Sequence, residues 1–205
     1  MKKTTIGFAM TGSFCTFELV LKQVEELVKR GYDVLPILSE HAGGLDTRFM
    51  QAERLRERLL AITGHEPIDT LQKAEPLGPK RMTDLYVIAP ATGNSLAKLA
   101  NGIFDTPALL GAKSHLRNER PLVLAVSTND GLGAAAQNIG KLLVWRNVYF
   151  VPFRQDDPIG KPRSLVADFT QLPKTVVAAL SSVQLQPLLA ACLAMDALGE
   201  QPVVH

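Results

Sequence analysis

Four short segments of the sequence concentrate small and hydroxyl-bearing residues, which are the types that bind anionic ligands. They are residues 11–14, 39–41, 90–95 and 127–131, reading Thr-Gly-Ser-Phe, Ser-Glu-His, Pro-Ala-Thr-Gly-Asn-Ser and Ser-Thr-Asn-Asp-Gly. Three of them lead into predicted helices, where free N–H groups and the helix dipole favour an anion. The pattern predicts a ligand that carries a phosphate.

The first and third segments differ in how strongly they indicate a binding site. Residues 11–14 lack the G-x-G-x-x-G and Walker A patterns, since Gly12 is the only glycine there. Taken alone, this segment is more typical of a tight strand-to-helix turn. In the third segment, Thr92, Asn94 and Ser95 offer side-chain hydrogen bonds and Gly93 lets a ligand approach the backbone. A purely structural connection does not need so many polar groups.

Strand-like apolar runs alternate with helical periodicity and place these segments in a fold. The pattern predicts five strands and six helices. The strands are expected over residues 5–10, 33–38, 85–89, 122–126 and 147–152, and the helices over 17–30, 47–62, 95–101, 106–115, 133–144 and 172–180. Such alternation indicates right-handed crossovers and an α/β fold with a doubly wound parallel sheet covered on both faces. Ligands of such sheets bind beyond the carboxyl ends of the strands, where the four segments lie.

Three parts of the chain fall outside this alternation. We predict an irregular stretch over residues 63–80 and a charged, proline-bearing loop over residues 154–163. We assign residues 1–182 to a single α/β domain and residues 183–205 to a C-terminal helix and tail, which are expected to cover the sheet edge or a partner subunit.

Composition excludes several classes of protein. The chain has 205 residues, is 46% apolar and carries a net charge of +2, which excludes intrinsic disorder and offers no basic stripe for nucleic acid. We find no membrane-spanning run, and the signal-like start of the chain is interrupted by residues 11–13. The two cysteines, Cys15 and Cys192, fit a reducing compartment, so we expect a cytoplasmic protein.

Individual reactive side chains are open to more than one interpretation. Cys15 lies at a strand-to-helix junction that could lower a thiol pKa, but packing is the favoured role. His41 fits either ligand contact or a solvated loop, and the histidines show no metal-ligand spacing, so we predict no metal. Arg154, Lys161 and Arg163 form a basic cluster suited to carboxylates or to a subunit contact.

Residues 84–105 resemble the signature of the flavoprotein family that includes FMN-dependent cysteine decarboxylases and flavin prenyltransferases. Residues 90–95 are similar to that family's Pro-Ala-Ser-Ala-Asn-Thr loop, and residues 11–13 to its first-strand turn. Residues 124–132 take the place of its Pro-Ala-Met-Asn segment and retain the asparagine as Asn129. The similarity covers residues 4–152 and implies a Rossmann-like or flavodoxin-like three-layer sandwich that binds FMN.

The resemblance also implies which residues hold the cofactor. Gly12 and Ser13 would meet the phosphate or the flavin edge, and Ser39 would support the phosphate. The complete set of candidate FMN contacts is Gly12, Ser13, Phe14, Ser39, Ala91, Thr92, Asn94, Ser127 and Asn129. The histidine that the decarboxylases use shortly before the third strand has no counterpart, since residues 77–80 read Leu-Gly-Pro-Lys.

Residues 154–168 and 172–180 resemble the family of B subunits of bacterial dipicolinate synthases. This resemblance implies oxidation of dihydrodipicolinate to dipicolinate in the mother cell of a spore former, and a partner A subunit that carries the NAD(P) site. It also implies a small dicarboxylate substrate, with His41, Arg154, Lys161 and Arg163 as candidate contacts. A homo-oligomer is expected.

Two alternatives stay open at this point. One is a flavin-dependent decarboxylase or prenyltransferase that acts alone. The other is a non-catalytic subunit that keeps the fold, with its site empty or filled by phosphate. No residue is identified as a general base.

Overall fold

Buried apolar runs form the strands of the molecule. The computed structural model describes residues 3–190. Every residue of the third strand is buried, which is the pattern of a strand covered on both faces. The strands are β1 (Thr5–Met10), β2 (Asp33–Leu38), β3 (Leu85–Ala91), β4 (Leu122–Thr128), β5 (Val148–Phe150), β6 (Phe153–Asp157) and β7 (Lys161–Ala167).

The strands and helices form a three-layer α/β sandwich in a single domain. Five strands are parallel and lie in the order β2-β1-β3-β4-β5, so the chain winds outward from β1 in both directions. The helices are α1 (Phe17–Lys29), α2 (Glu40–Gly44), α3 (Ala52–Thr63), α4 (Leu71–Ala74), α5 (Gly93–Ala100), α6 (Pro107–Arg117), α7 (Ala136–Leu143) and α8 (Leu172–Leu180). Helices α1, α3 and α8 pack on one face, and α4 to α7 pack on the other. The predicted doubly wound fold is confirmed.

Helix α1 follows the apolar periodicity of the sequence. Its buried side chains are Phe17, Val20, Leu21, Val24 and Leu27. Gly31 follows the helix with a φ of 91°, a left-handed conformation that glycine adopts without a steric cost. The predicted end of this helix is therefore confirmed within a residue or two.

Helix α3 starts later than the predicted helix over residues 47–62. It begins at Ala52, whose N–H donates to Asp46 Oδ1 at 2.9 Å. Ahead of it, Thr47 Oγ1 accepts a hydrogen bond from the N–H of Phe49 at 3.2 Å. A hydroxyl that binds nearby backbone N–H groups competes with the helix, so residues 47–50 form a turn instead.

Two of the segments that we predicted to be irregular contain regular structure. The stretch over residues 63–80 includes α4 and a 3-10 turn at Glu75–Leu77. The predicted loop over residues 154–163 was wrong, because β6 and β7 form an antiparallel hairpin there. Strand β7 also pairs with Ser127 and Thr128 at the end of β4, so the hairpin lies beside the part of β4 that follows its pairing with β5. The first three residues of β7 are exposed, which hid its strand character in the sequence.

The chain after α8 runs back along the edge of the sheet. Gln184 donates from Nε2 to the carbonyl of Phe150 and accepts at Oε1 from the N–H of Phe150, both at 2.7 Å. Farther on, the N–H groups of Phe153 and Ala190 bind the carbonyls of Leu188 and Phe153 at 3.0 Å. Residues 183–190 thus form no helix and cover the sheet edge, and the rest of the predicted C-terminal segment lies outside the described residues. Among residues 3–190, no helix has the length and apolar character to cross a bilayer.

His115 on α6 makes the stability of this fold depend on pH. Its side chain is 2% exposed, and its Nε2 atom lies 2.6 Å from Thr83 Oγ1. Burial, reinforced by the nearby charge of Arg120, lowers the pKa of His115 from 6.5 to about 4. Between these two values the unfolded chain binds a proton that the folded chain does not. Stability is therefore lost as the pH falls through this interval, by about 3 kcal/mol in total.

We expect His115→Gln to remove this loss. The free energy of unfolding, measured with urea from pH 7.5 to pH 4, should decline more steeply in the unaltered protein than in the variant. Subtracting the two curves cancels the titration of carboxylates common to both proteins. Identical pH dependence in the two proteins would show that His115 is protonated as easily in the folded state as in the unfolded state.

Candidate functional site

The loops at the carboxyl ends of β1 to β4 surround two adjoining clefts. Cleft A has a volume of about 830 Å³ and cleft B a volume of about 420 Å³. Gly12, Phe14 and Thr92 line both clefts. Residues that line cleft A and not cleft B include Ser13, Cys15, Leu19, Phe49, Gly93, Ser127, Thr128, Asn129, Arg154, Asp156, Lys161 and Asp168. Residues that line cleft B and not cleft A include Ser39, His41, Asn94, Ser95, Lys98 and Thr106. The two clefts lie side by side at the predicted edge of the sheet and share these three residues.

A buried hydroxyl joins the first and third loops. Thr11 Oγ1 donates to the carbonyl of Pro90 at 2.6 Å and accepts a hydrogen bond from the N–H of Thr92 at 3.3 Å. Thr11 is 2% exposed, so water does not compete for these bonds. Strands β1 and β3 are neighbours at the point where the winding of the sheet reverses, and Thr11 fixes the backbone at that point.

A second contact joins the first and fourth loops. Ser13 Oγ lies 2.7 Å from Ser127 Oγ, although the two residues are 114 positions apart. The carbonyl of Ser13 also accepts a hydrogen bond from Thr16 Oγ1 at 2.8 Å. The two serine hydroxyls therefore stand side by side within cleft A.

Cleft B collects groups that suit an anion. Ser39 and Thr106 each accept a backbone N–H as helix caps, which leaves their own hydroxyl protons able to donate to a ligand. Lys98 adds a cation, and its Nζ lies 2.8 Å from Asp105 Oδ2. The hydrogen bond from Lys98 lowers the pKa of Asp105. Sequence reasoning missed Lys98 and Thr106, because the sequence did not show that α5 and α6 border the same cleft.

The β6–β7 hairpin brings two of the predicted cations to cleft A. Arg154 Nη1 lies 3.9 Å from Asp168 Oδ2, and Lys161 Nζ lies 2.9 Å from Asp156 Oδ2. The hydrogen bond with Asp156 raises the pKa of Lys161. Each cation is thus paired with a carboxylate, and a ligand carboxylate must compete with that partner. Sequence reasoning missed Asp156, because it treated residues 154–163 as a loop, and it missed Asp168, which directly follows β7.

Cys15 does not take the packing role that we favoured. Its side chain is exposed in cleft A, and its Sγ lies 4.0 Å from Ser13 Oγ. The 3-10 turn at Phe14–Thr16 directs Phe14 and Thr16 toward the protein, so the intervening cysteine faces outward.

The structure separates two other predicted residues from the clefts. Ala91 is fully buried at the end of β3 and its side chain lines neither cleft. Arg163 lies with Asn129, Lys161 and Pro162 at a shallow depression beside cleft A. In the part of the chain that the structure describes, no group of three or more histidine, cysteine, aspartate or glutamate residues could hold a metal ion.

Gly93, where the resembled family has alanine, is explained by the end of β4. A Cβ atom at Gly93 would lie 2.7 Å from Thr128 Oγ1 and 3.1 Å from Asp130 Oδ1. Thr128 Oγ1 donates to Asp130 Oδ1 at 2.5 Å. The threonine–aspartate pair thus fills the space that a side chain at position 93 would need.

The family model described as Flavoprotein matches residues 1–167 of this chain. The chain belongs to the flavoprotein family. The B subunit of dipicolinate synthase from Bacillus subtilis is 48% identical over 189 residues, which cover 92% of this chain and 94% of the relative. The predicted resemblance is confirmed.

Solved structures agree with this assignment. This flavoprotein superimposes on the B subunit of dipicolinate synthase from Bacillus halodurans with a TM-score of 0.85 and 45% identity, covering 92% of this chain and 96% of the other. DmrB from Burkholderia xenovorans in complex with FMN gives a TM-score of 0.65 at 19% identity, with coverage of 87% and 96%. This second likeness shows a shared fold.

We expect Gly93→Ala to destabilise the protein through Thr128. The new methyl group must displace the Thr128 hydroxyl, and overpacking of this kind costs about 1–3 kcal/mol. In a Thr128→Ala background the same change should cost less than half as much. Urea unfolding of the four proteins in this cycle measures the coupling. An equal cost in both backgrounds would show that the two side chains do not compete for space.

Proposed function

We propose that the protein is the B subunit of a dipicolinate synthase. In this role it contributes to the oxidation of dihydrodipicolinate to dipicolinate during sporulation, together with an A subunit that carries the NAD(P) site. The single observation that carries the proposal is the 48% identity with the dipicolinate synthase B subunit of Bacillus subtilis over 92% of the chain. The same proposal places the protein in the cytoplasm of the mother cell, as a homo-oligomer that acts on a small dicarboxylate.

We propose FMN as the ligand of the two clefts. The position of the two clefts supports this, because they adjoin at Gly12, Phe14 and Thr92 and together match an elongated ligand. The phosphate would bind in cleft B, near the hydroxyls of Ser39 and Thr106 and the ammonium of Lys98. The ring would lie in cleft A, and when bound it supplies a two-electron acceptor.

The proposed reaction removes two electrons and two protons from the substrate, as a hydride and a proton, and makes the ring aromatic. Within this chain, Arg154 and Lys161 are the proposed contacts for the substrate carboxylates. Each must exchange its bond with Asp168 or Asp156 for one with the ligand. This exchange would align the substrate carboxylates with the hairpin. His41 lines cleft B, so its proposed role moves from the substrate toward the phosphate.

A non-catalytic role remains the second candidate. One observation favours it: the sequence departs from the pattern of the resembled family at Gly93 and across residues 127–129. In that case the clefts would hold phosphate or nothing, and the chain would act through contacts with its partner subunit. A decarboxylase that acts alone is less well supported, because the segment before β3 lacks the histidine of those enzymes.

Gly12→Asp should weaken FMN binding strongly through its charge. A Cβ atom at Gly12 would lie 3.5 Å from His41 Cβ and 3.7 Å from Phe14 Cε2, which are ordinary contacts, so the fold should tolerate a side chain. A carboxylate there would repel the phosphate, and we expect affinity to fall by about tenfold or more. Gly12→Asn is the matched neutral control and should lose much less. Titration of flavin absorbance and fluorescence measures both, and a colourless, FMN-free unaltered protein at every concentration would contradict the cofactor proposal.

The subunit role is tested by reconstitution. Dipicolinate formation, followed by its ultraviolet absorbance with NAD(P) present, should require both the A subunit and this chain. Arg154→Gln should reduce the rate by raising the KM for the dicarboxylate, because the guanidinium that binds it is gone. Full activity of the A subunit alone would contradict a catalytic contribution from this chain.

A further inference from the structure

Few side chains that line cleft A can take up a proton at neutral pH. Among the described residues of this lining there is no histidine and no glutamate, and the acidic groups are the carboxylates of Asp156 and Asp168 and the thiol of Cys15. Free thiols are ordinarily protonated at neutral pH, whereas carboxylates are ordinarily ionised. Lys161 keeps its proton, because the hydrogen bond with Asp156 raises the pKa of its ammonium group. The candidates for a base in cleft A are therefore the two aspartates.

The carboxylate of Asp156 is already bound to a cation. Its Oδ2 atom accepts a hydrogen bond from Lys161 Nζ at 2.9 Å, and its side chain is 40% exposed on the hairpin. To take up a proton from a ligand, this oxygen must first release the ammonium group. Asp156 is therefore suited to holding Lys161 in place.

The carboxylate of Asp168 is held differently. Its Oδ1 atom accepts hydrogen bonds from the N–H and the Oγ1 hydroxyl of Thr170, at 3.1 Å and 2.6 Å. Its Oδ2 atom lies 3.9 Å from Arg154 Nη1, an ion-pair contact that is too long for a hydrogen bond. Two bonds to one oxygen orient the carboxylate, and the other oxygen keeps its capacity to accept a proton.

The backbone around Asp168 is fixed by the sheet. The N–H of Asp168 donates to the carbonyl of Pro152 at 2.8 Å. The neighbouring residues Ala167 and Phe169 are 3% and 4% exposed, so their side chains are packed in the core on both sides of the aspartate. A catalytic group needs this kind of rigid support, because proton transfer depends on a precise position.

The proposed movement of Arg154 links Asp168 to substrate binding. In that exchange the guanidinium leaves Asp168 and binds a substrate carboxylate. A carboxylate that loses a neighbouring positive charge takes up a proton more readily. Substrate binding would therefore make Asp168 a stronger base at the moment when a base is needed.

We propose that Asp168 is the catalytic base of cleft A. This inference rests on the proposed function and assigns one step of that oxidation to this chain. One ring carbon of the dihydropyridine releases a hydride to an oxidised nicotinamide or flavin, and another ring atom releases a proton to Asp168 Oδ2. The electron pair of this second bond enters the ring, which becomes aromatic, and Asp168 afterwards passes the proton to water.

Asp168→Asn in the synthase reconstituted from the A subunit and this chain tests the proposal. Asparagine keeps an oxygen for Thr170 but cannot take up the proton. We expect kcat to fall about 100-fold or more, with KM within about threefold of the unaltered protein. Calorimetric binding of pyridine-2,6-dicarboxylate should also stay within about threefold, which would show that the cleft is intact.

Two other aspartates of the hairpin serve as comparisons. Asp157 Oδ1 likewise accepts nearby backbone N–H groups, those of Ile159 and Gly160, but the residue lines neither cleft. Asp157→Asn is therefore the matched control and should leave kcat unchanged. Asp156→Asn should alter KM through Lys161 and keep kcat within about threefold.

A small carboxylate distinguishes a missing base from a damaged site. We expect sodium formate to raise the rate of Asp168→Ala at least tenfold, because formate can occupy the space of the lost carboxylate and take up the proton. Sodium chloride at the same concentration should not do so, and neither salt should accelerate the unaltered protein. Urea unfolding of both Asp168 variants checks that they are folded.

The outcomes separate this inference from the proposed function. A kcat of Asp168→Asn within threefold of the unaltered protein would overturn the inference, as would a loss of product binding as large as the loss of rate, or no response of Asp168→Ala to formate. A larger fall of kcat in Asp156→Asn would assign the base to that residue instead. Full activity of the A subunit alone contradicts the proposed function and this inference together, whereas synthesis that requires this chain but tolerates Asp168→Asn contradicts this inference alone.

Discussion

The hydroxyl of Thr11 is the contact on which the geometry of the site depends. It binds the carbonyl of Pro90 and the N–H of Thr92 at once, and so it fixes the distance between the loops that follow β1 and β3. Thr92 in turn caps α5 through Ser95, which orients the helix beside both clefts. A side chain without a hydroxyl at position 11 would leave two buried backbone groups without their partner. The fold therefore places a polar interaction at the one point where its winding reverses.

Strand β4 connects the parallel sheet to the charged hairpin. Its first half pairs with β5 and its last two residues pair with β7, so one strand belongs to the parallel sheet and to the antiparallel hairpin. This division frees the carboxyl end of β4 from β5 and brings the charged hairpin beside the hydroxyls of the loops. The resulting cleft combines a polar wall with the apolar side chains of Phe14, Leu19 and Phe49.

The sequence was sufficient for those features that local patterns encode. Apolar periodicity predicted α1, and a run without polar residues predicted β3. The hairpin was not predicted, because its charged residues are exposed and resemble a loop. Its pairing with β4 is a contact between residues that are distant in the sequence, which local patterns do not show. The exposure of Cys15 was not predicted for a different reason, since a single 3-10 turn decides whether its side chain faces the core or the cleft.

The side-chain amide of Gln184 affects how this protein can associate with other chains. It satisfies both backbone groups of Phe150 on the free side of β5, as a neighbouring strand would. An open strand edge is a template on which further copies can polymerise, and a side chain that occupies it stops that growth at its first step. Association of another protein chain at Phe150 must then use side chains, whose identity can be selective, in preference to backbone pairing, which accepts any extended peptide.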